Sequence, residues 1–105
     1  MTLSTHVLDT SLGEPIAGVP VRLERQHEGG WVAVAAGATG PDGRLTDWVS
    51  PQRWHVGTYR LSFDTAAHSA FFPEVSVVFF LAEPSRHHHI PLLLSPYGYT
   101  TYRGS

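Results

Sequence analysis

The feature that most constrains the fold is a repeated alternation of apolar and polar residues, interrupted by glycine- and proline-rich turns. In Gly57–Asp64 the apolar Tyr59, Leu61 and Phe63 alternate with polar neighbours, and residues 19–25 alternate in the same way. A period of two residues is typical of a strand with one face in a core and the other in water. Turn signals recur roughly every 8 to 12 residues, a spacing typical of antiparallel sandwiches. We therefore predict an all-β, two-sheet antiparallel β-sandwich of about eight strands.

The alternation also gives the position of each element. Strands are expected at residues 3–9, 19–25, 31–36, 44–48, 57–64 and 74–82, and in a terminal hairpin of residues 87–94 and 97–102. Ser95 and Pro96 separate the two halves of that hairpin. One short helix is expected at residues 65–70, because Asp64 or Thr65 can cap it and alanines favour it.

Length and composition exclude several classes of protein. The chain has 105 residues, which suits one domain, and we expect residues 1–105 to form it. Seven arginines, with no lysine, stand against nine acidic residues, and the formal net charge is -2. This balance provides no basic face, so a nucleic-acid partner is not expected. The absence of cysteine excludes disulfides, thiolate metal ligands and a cysteine nucleophile.

The N-terminal residues do not resemble a secretory signal, because no basic region is followed by an apolar one. A cytoplasmic location is therefore expected. No apolar stretch approaches the roughly 20 residues that a transmembrane helix needs, so no association with a membrane is expected.

Three adjacent histidines, His87, His88 and His89, stand in the first half of the terminal hairpin. Successive strand residues point to opposite faces, so His87 and His89 share one face while His88 lies with the apolar residues of the core. In the second half, the same alternation places Tyr102 on a face with small and polar residues. One face of the hairpin should then carry His87, His89 and Tyr102.

Histidines two residues apart on a strand can bind zinc, which makes a metal site one interpretation of this pattern. Neither Asp nor Glu is adjacent, however, and the chain has no second His-x-His pattern. A polar strand start with one histidine packed in the core explains the run without a metal, and no metal site is predicted.

Motifs spread over the whole chain carry a family resemblance. They are Leu3-Ser-Thr-His-Val-Leu-Asp-Thr10 with Gly13 and Pro15, Arg53-Trp54 with Gly57 and Tyr59, Phe72-Pro-Glu-Val75, and the terminal residues 89–105. With these motifs the chain resembles 5-hydroxyisourate hydrolase, the transthyretin-related enzyme of purine breakdown. The terminal Tyr-Arg-Gly-Ser of residues 102–105 is the most specific of them, because it marks the enzymes and is missing from transthyretins, the hormone carriers of the same fold.

The resemblance implies a transthyretin-like sandwich that forms a homotetramer, with active sites in the channel where dimers meet. It implies hydrolysis of 5-hydroxyisourate to 2-oxo-4-hydroxy-4-carboxy-5-ureidoimidazoline, without a metal or organic cofactor. Matched one position at a time, it assigns catalytic roles to His6, Arg44, His89 and Ser105, and substrate binding to His6, Arg44 and Tyr102. One departure is His88, which stands where the family commonly has tyrosine.

Opening a cyclic amide needs an activated water, a donor to the developing oxyanion and groups that hold a small polar substrate. His6 or His89 can take the proton from water, and the sequence leaves the choice between them open. Arg44 can keep such an imidazole neutral and clamp substrate carbonyl oxygens. The alternative function is a transthyretin-like small-ligand carrier without catalysis, and a non-catalytic adhesive sandwich is a further one. A hormone carrier should have an apolar channel and lack the polar terminus.

Overall fold

The computed structural model describes residues 2–104, which form β-strands joined by turns. The strands are β1 (Leu3–Asp9), β2 (Glu14–Pro15), β3 (Pro20–His27), β4 (Gly30–Ala38), β5 (Arg44–Leu45), β6 (Gly57–Asp64), β7 (Glu74–Leu81), β8 (His88–His89), β9 (Leu92–Ser95) and β10 (Gly98–Thr101). Three of them, β2, β5 and β8, are two residues long.

The strands form two sheets, and the predicted all-β sandwich is confirmed. One sheet has the order β10-β9-β1-β2, with β5 and β8 also paired to β1, and the other has the order β4-β3-β6-β7. The second sheet is antiparallel throughout. In the first sheet β1 is antiparallel to β2 and β5 but parallel to β8 and β9, so that sheet is mixed.

The core lies between the sheets and follows the predicted alternation. Tyr59, Leu61 and Phe63 of β6 are fully buried. The rest of the core is Leu3, Val7, Ile16, Val19, Val21, Leu23, Val49, Trp54, Val75, Leu81, Ile90, Leu92 and Leu94. On β1, residues 3, 5 and 7 face this core, so Ser4 and His6 face away from it.

Residues 65–70 form a turn rather than the predicted short helix. The amides of His68 and Ser69 each donate to the carbonyl of Thr65 at 2.9 Å, which makes one turn. The amide of Thr65 donates to the carbonyl of Pro73 at 3.1 Å, and its hydroxyl donates to the carbonyl of Phe72. These bonds continue the pairing of β6 with β7 and leave no room for a second turn. Within residues 2–104, helical geometry is confined to a 3-10 turn at Pro51–Arg53, and no helix has the length or apolar character to cross a membrane.

Two predicted strands are shorter than the pattern indicates. The strand expected at residues 44–48 is only Arg44–Leu45, because Asp47 has a φ of 52°, which strand geometry does not allow. The strand expected at residues 87–94 is divided into β8 and β9 at Pro91, which has no N–H to donate to a ladder. Pro91 is buried, although the alternation placed it on the face away from the core.

Candidate active site

The register of β1 brings three of the predicted site residues to one face of the first sheet. His6 of β1 is the cross-strand partner of Arg44 of β5, and Ser4 of β1 is the partner of His89 of β8. Directly opposed residues share a face, and Ser4 and His6 share the face of β1 that points away from the core. His6, Arg44 and His89 therefore form one cluster, built by three strands.

A glycine turn places Arg44 at the start of β5. The amide of Gly43 donates to the carbonyl of Gly40 at 2.8 Å, and the carbonyl of Gly43 accepts from the amide of Val7 at 2.8 Å. Gly43 has a φ of 76°, and a Cβ there would stand 2.6 Å from the carbonyl oxygen of Val7. Only glycine fits this close approach, which fixes the position of Arg44 against β1.

The Arg44 guanidinium is available to a ligand. Its Nε lies 4.0 Å from Asp42 Oδ2, and both side chains are more than half exposed. An exposed ion pair at this distance holds the guanidinium only weakly. Asp42 acts mainly on the backbone, where its Oδ1 accepts a hydrogen bond from the Arg44 amide at 3.0 Å.

A backbone carbonyl selects the tautomer of His6. The Nε2 of His6 lies 2.9 Å from the carbonyl oxygen of Asp42. A carbonyl only accepts hydrogen bonds, so Nε2 carries the hydrogen and donates it. In the neutral ring the lone pair is then on Nδ1, which can accept a proton or a hydrogen bond from a ligand.

The Ser4 hydroxyl connects two of the three histidines. Ser4 Oγ lies 2.8 Å from His89 Nδ1 and 3.0 Å from His87 Nε2. With one hydrogen to give, the hydroxyl donates to at most one of the two rings and accepts a hydrogen bond from at least one of them. This arrangement holds His89 through Nδ1 and leaves its Nε2 for a ligand. The alternation places Ser4 on the same strand face as His6, but it does not show that His89 lies opposite Ser4.

The pKa of His89 is lowered below its ordinary value. Partial burial is the largest cause, because it disfavours the charged imidazolium, and the positive charge of Arg44 is the next. His6 and His87 lower it further. This shift favours the neutral form of His89 at pH 7, which is the form that can accept a proton.

The end of the described chain packs on His89. The amide of Gly104 donates to the carbonyl of His89 at 2.7 Å, and the two residues form an antiparallel bridge. A Cβ on Gly104 would stand 2.8 Å from His89 Cδ2. Tyr102, two residues earlier, is about half exposed (55%) and lines a cleft with His88 and Ile90. Neither His87 nor His89 lines this cleft, so the face predicted to carry His87, His89 and Tyr102 together is not observed among the described residues. Ser105, the fourth predicted catalytic residue, lies outside the described residues.

His88 lies away from this cluster, as its strand parity predicted. Its side chain is buried, and its Nδ1 donates to the carbonyl of Arg86 at 2.8 Å. Its ring meets Trp54 edge to face, with centroids 6.0 Å apart. Among residues 2–104, no three side chains of histidine, aspartate or glutamate are grouped as a metal site requires.

Residues 3–104 match the family model described as the HIUase/transthyretin family. The chain belongs to this family. Two curated members are similar to it over nearly its full length. The 5-hydroxyisourate hydrolase of Salmonella typhimurium is 41% identical, over 98% of this chain and 80% of its own. The uric acid degradation bifunctional protein TTL of Arabidopsis thaliana is 46% identical, over 98% of this chain and 37% of its own.

Solved structures of the HIUase/transthyretin family include both a hydrolase and a transthyretin that are similar to this chain. The Klebsiella pneumoniae 5-hydroxyisourate hydrolase has a TM-score of 0.83 and 34% identity, with 100% of both chains covered. Sea bream transthyretin in complex with thyroxine has a TM-score of 0.92 and 32% identity, with 99% of this chain and 95% of its own covered. The fold is therefore shared by an enzyme and a transthyretin, and the function has to be argued from the site.

Proposed function

We propose that the protein hydrolyses 5-hydroxyisourate in the breakdown of urate. The observation that carries this proposal is the cluster of His6, Arg44 and His89 on one face of the first sheet. In this cluster His89, whose lowered pKa favours the neutral ring, lies near the positive charge of Arg44. The hydrolase relatives support the same substrate, since they match the chain at about 40% identity over nearly its whole length.

His89 is assigned as the general base. Its lowered pKa favours the neutral ring. In the tautomer whose Nδ1 carries the hydrogen and donates to Ser4 Oγ, Nε2 has the lone pair and can take a proton from water. The resulting hydroxide adds to the carbonyl carbon of the cyclic amide, and the C–N bond of the tetrahedral intermediate then breaks. The proton held on His89 passes to the departing nitrogen, which restores the neutral ring.

Arg44 and His6 act on the substrate in this scheme. The Arg44 guanidinium donates two hydrogen bonds to carbonyl oxygens and stabilises the negative charge that develops on one of them. His6 has Nε2 tied to the Asp42 carbonyl, so it meets the substrate through Nδ1, either as an acceptor or, when protonated, as a donor.

Tyr102 and Ser105 are proposed to complete the site from the terminal segment. The bridge between Gly104 and His89 supports this, because it holds the segment against the assigned base. Tyr102 would bind the substrate, and Ser105 would act through its hydroxyl or through a terminal carboxylate.

A homotetramer is proposed as the assembly that encloses the site. Each sheet ends on a strand that pairs on one side only, β7 in one and β10 in the other. These edges carry exposed apolar side chains, among them Phe80 at 65% and Val78 at 59% exposure. Open strand edges with apolar side chains favour association with further copies of the chain. Light scattering should give a mass about four times the 11.5 kDa of the chain, and a monomer at micromolar concentration would contradict the assembly.

The decisive experiment mixes the purified protein with freshly generated 5-hydroxyisourate and follows the decay of its absorbance. Decay faster than the spontaneous rate, and lost in His89→Asn, supports the proposal. Decay at the spontaneous rate refutes it. A second measurement tests the binding of thyroxine, because sea bream transthyretin, which has the same fold, has been solved in complex with it. Binding of thyroxine without acceleration of substrate decay would favour the carrier.

A further inference from the structure

Arg25 of β3 stands on the face of its strand that points into the sandwich. Its partner on β6 is Tyr59, and two residues earlier Leu23 is paired with Leu61. These three partners are fully buried, so the alternation that buries Leu23 also directs Arg25 inward, at the end of the core.

The neighbouring charges of β3 point the other way and are paired. Arg22 forms an ion pair with Glu74, and Glu24 forms one with Arg60 at 2.9 Å. Arg25 has no acidic partner within residues 2–104. Its Nε is inaccessible to solvent and has no hydrogen-bond partner there.

The Arg25 side chain lines a cleft of about 290 Å³, together with Arg53, His27, His55, Gln52 and two valines of β4. No carboxylate is among the lining residues. Arg53 uses Nη2 to donate to the carbonyl of Ala33 at 2.8 Å. Outside the lining, the Glu28 carboxylate lies 3.9 Å from His27 Nε2 in an exposed pair.

The backbone of Gly57 packs directly against the guanidinium. A Cβ at this position would stand 3.3 Å from Arg25 Nε and 3.7 Å from its Nη2. Glycine at the start of β6 thus leaves the space that the planar group occupies, and it holds the guanidinium at the inner wall of the cleft.

We propose that this cleft binds a small oxyanion, a phosphate or a carboxylate, between Arg25 and Arg53. A guanidinium presents its N–H groups in a planar fork that matches such an anion, and two guanidinium groups line this cleft. Gln52, His27 and His55 also line the cleft and carry side-chain N–H groups that can donate to an anion. The cleft belongs to the second sheet, whereas His6, Arg44 and His89 belong to the first, so this site does not depend on the proposed hydrolysis.

The test is a titration of the ¹⁵N-labelled protein with sodium phosphate, and separately with sodium malonate, at neutral pH and constant ionic strength. The amide signals of Gly57 and His55 report on the cleft, and that of Gly43 reports on the cluster at Arg44. Saturable changes at Gly57 and His55 with either anion are expected, and the anion that produces them identifies the class.

Three variants assign the binding. Arg25→Gln and Arg53→Gln should each weaken it by about tenfold or more, since each removes charged hydrogen bonds. Arg22→Gln is the matched control, because it removes the same charge from the outward face of β3 and should leave the affinity unchanged. If Arg25→Gln does not fold, the exposed Arg53 still supplies the test.

Three results would overturn the proposal. The first is that neither anion changes the signals of Gly57 and His55 more than sodium chloride does. The second is that Arg22→Gln weakens binding as much as Arg53→Gln, which would show attraction by net charge alone. Changes confined to Gly43 would place the anion at the cluster of the first sheet and would likewise refute a site at Arg25.

Discussion

Gly104→Ala should displace the proposed base without altering the core. The added Cβ would stand 2.8 Å from His89 Cδ2 and 3.3 Å from the carbonyl oxygen of His89. Carbon atoms in contact prefer a separation of about 3.5–4.0 Å, so the ring and the terminal segment must move apart by roughly 1 Å. Such a shift strains two hydrogen bonds, the one between Ser4 Oγ and His89 Nδ1 and the one that the Gly104 amide donates to the His89 carbonyl.

A misplacement of this size in an active site can cost about 10²-fold in rate, which corresponds to about 2.7 kcal/mol of activation free energy. We therefore expect kcat/KM for 5-hydroxyisourate to fall by about 10²-fold in Gly104→Ala, with an unchanged circular dichroism spectrum. Substrate decay and the spectrum should be measured on the same sample.

Gly98→Ala is the matched control. Gly98 belongs to the same terminal segment, and a Cβ there would meet only Ser95 Oγ at 3.4 Å. Neither Gly98 nor Gly104 has a positive φ, so alanine introduces no backbone strain at either position. Equal activity of the two variants and the unsubstituted protein would refute the packing of the terminal segment on the base.

Three further outcomes are expected. Arg44→Leu should reduce kcat/KM by about 10²-fold or more. Because Arg44 lowers the pKa of His89, the same variant should raise that pKa in an NMR titration of the imidazole. An unchanged pKa would exclude Arg44 as a cause of the shift. Since the pKa of His89 is lowered, the acid limb of the pH profile should lie below pH ~6.5, the ordinary value for histidine, and a limb above that value would argue against His89 as the base. Ser4→Ala should reduce kcat/KM by about tenfold, because it removes the hydrogen bond to His89 Nδ1. His88 lies outside the cluster, so His88→Tyr should change both activity and melting temperature little.

The alternation of residue types predicted much of the fold because burial is decided locally on a strand. Tyr59, Leu61 and Phe63 are buried as the period of two indicates, and the same rule put His88 in the core and His6 outside it. The alternation predicts too long a strand where the backbone leaves strand geometry, as at Asp47, or where a proline interrupts the pairing, as at Pro91.

The pairing of the strands could not be predicted from the alternation. Ser4 lies opposite His89, at a separation of 85 residues, and only the assembled sheet determines which strand stands beside β1. The bridging role of Ser4 depends on that register, so the sequence alone could not show it. Arg25 is a different case. It lies two residues from Leu23, so the alternation places both on the face that points into the core, but charged residues on strands are usually expected to face water.

The position of β1 has a consequence for how the chain folds. β1 comes from the start of the described chain, yet its parallel neighbours β8 and β9 come from residues 88–95. The other sheet is formed entirely within residues 20–81, by antiparallel pairings of shorter sequence separation. Loop closure over a long separation costs entropy before any contact is gained, so we expect the contacts of β1 with β8 and β9 to form late. During synthesis, a ribosome-bound chain that ends before residue 88 can build the second sheet but has no partner for this side of β1. Acquisition of activity is thus a reporter of the last folding step, and it should lag behind the burial of Tyr59 and Phe63.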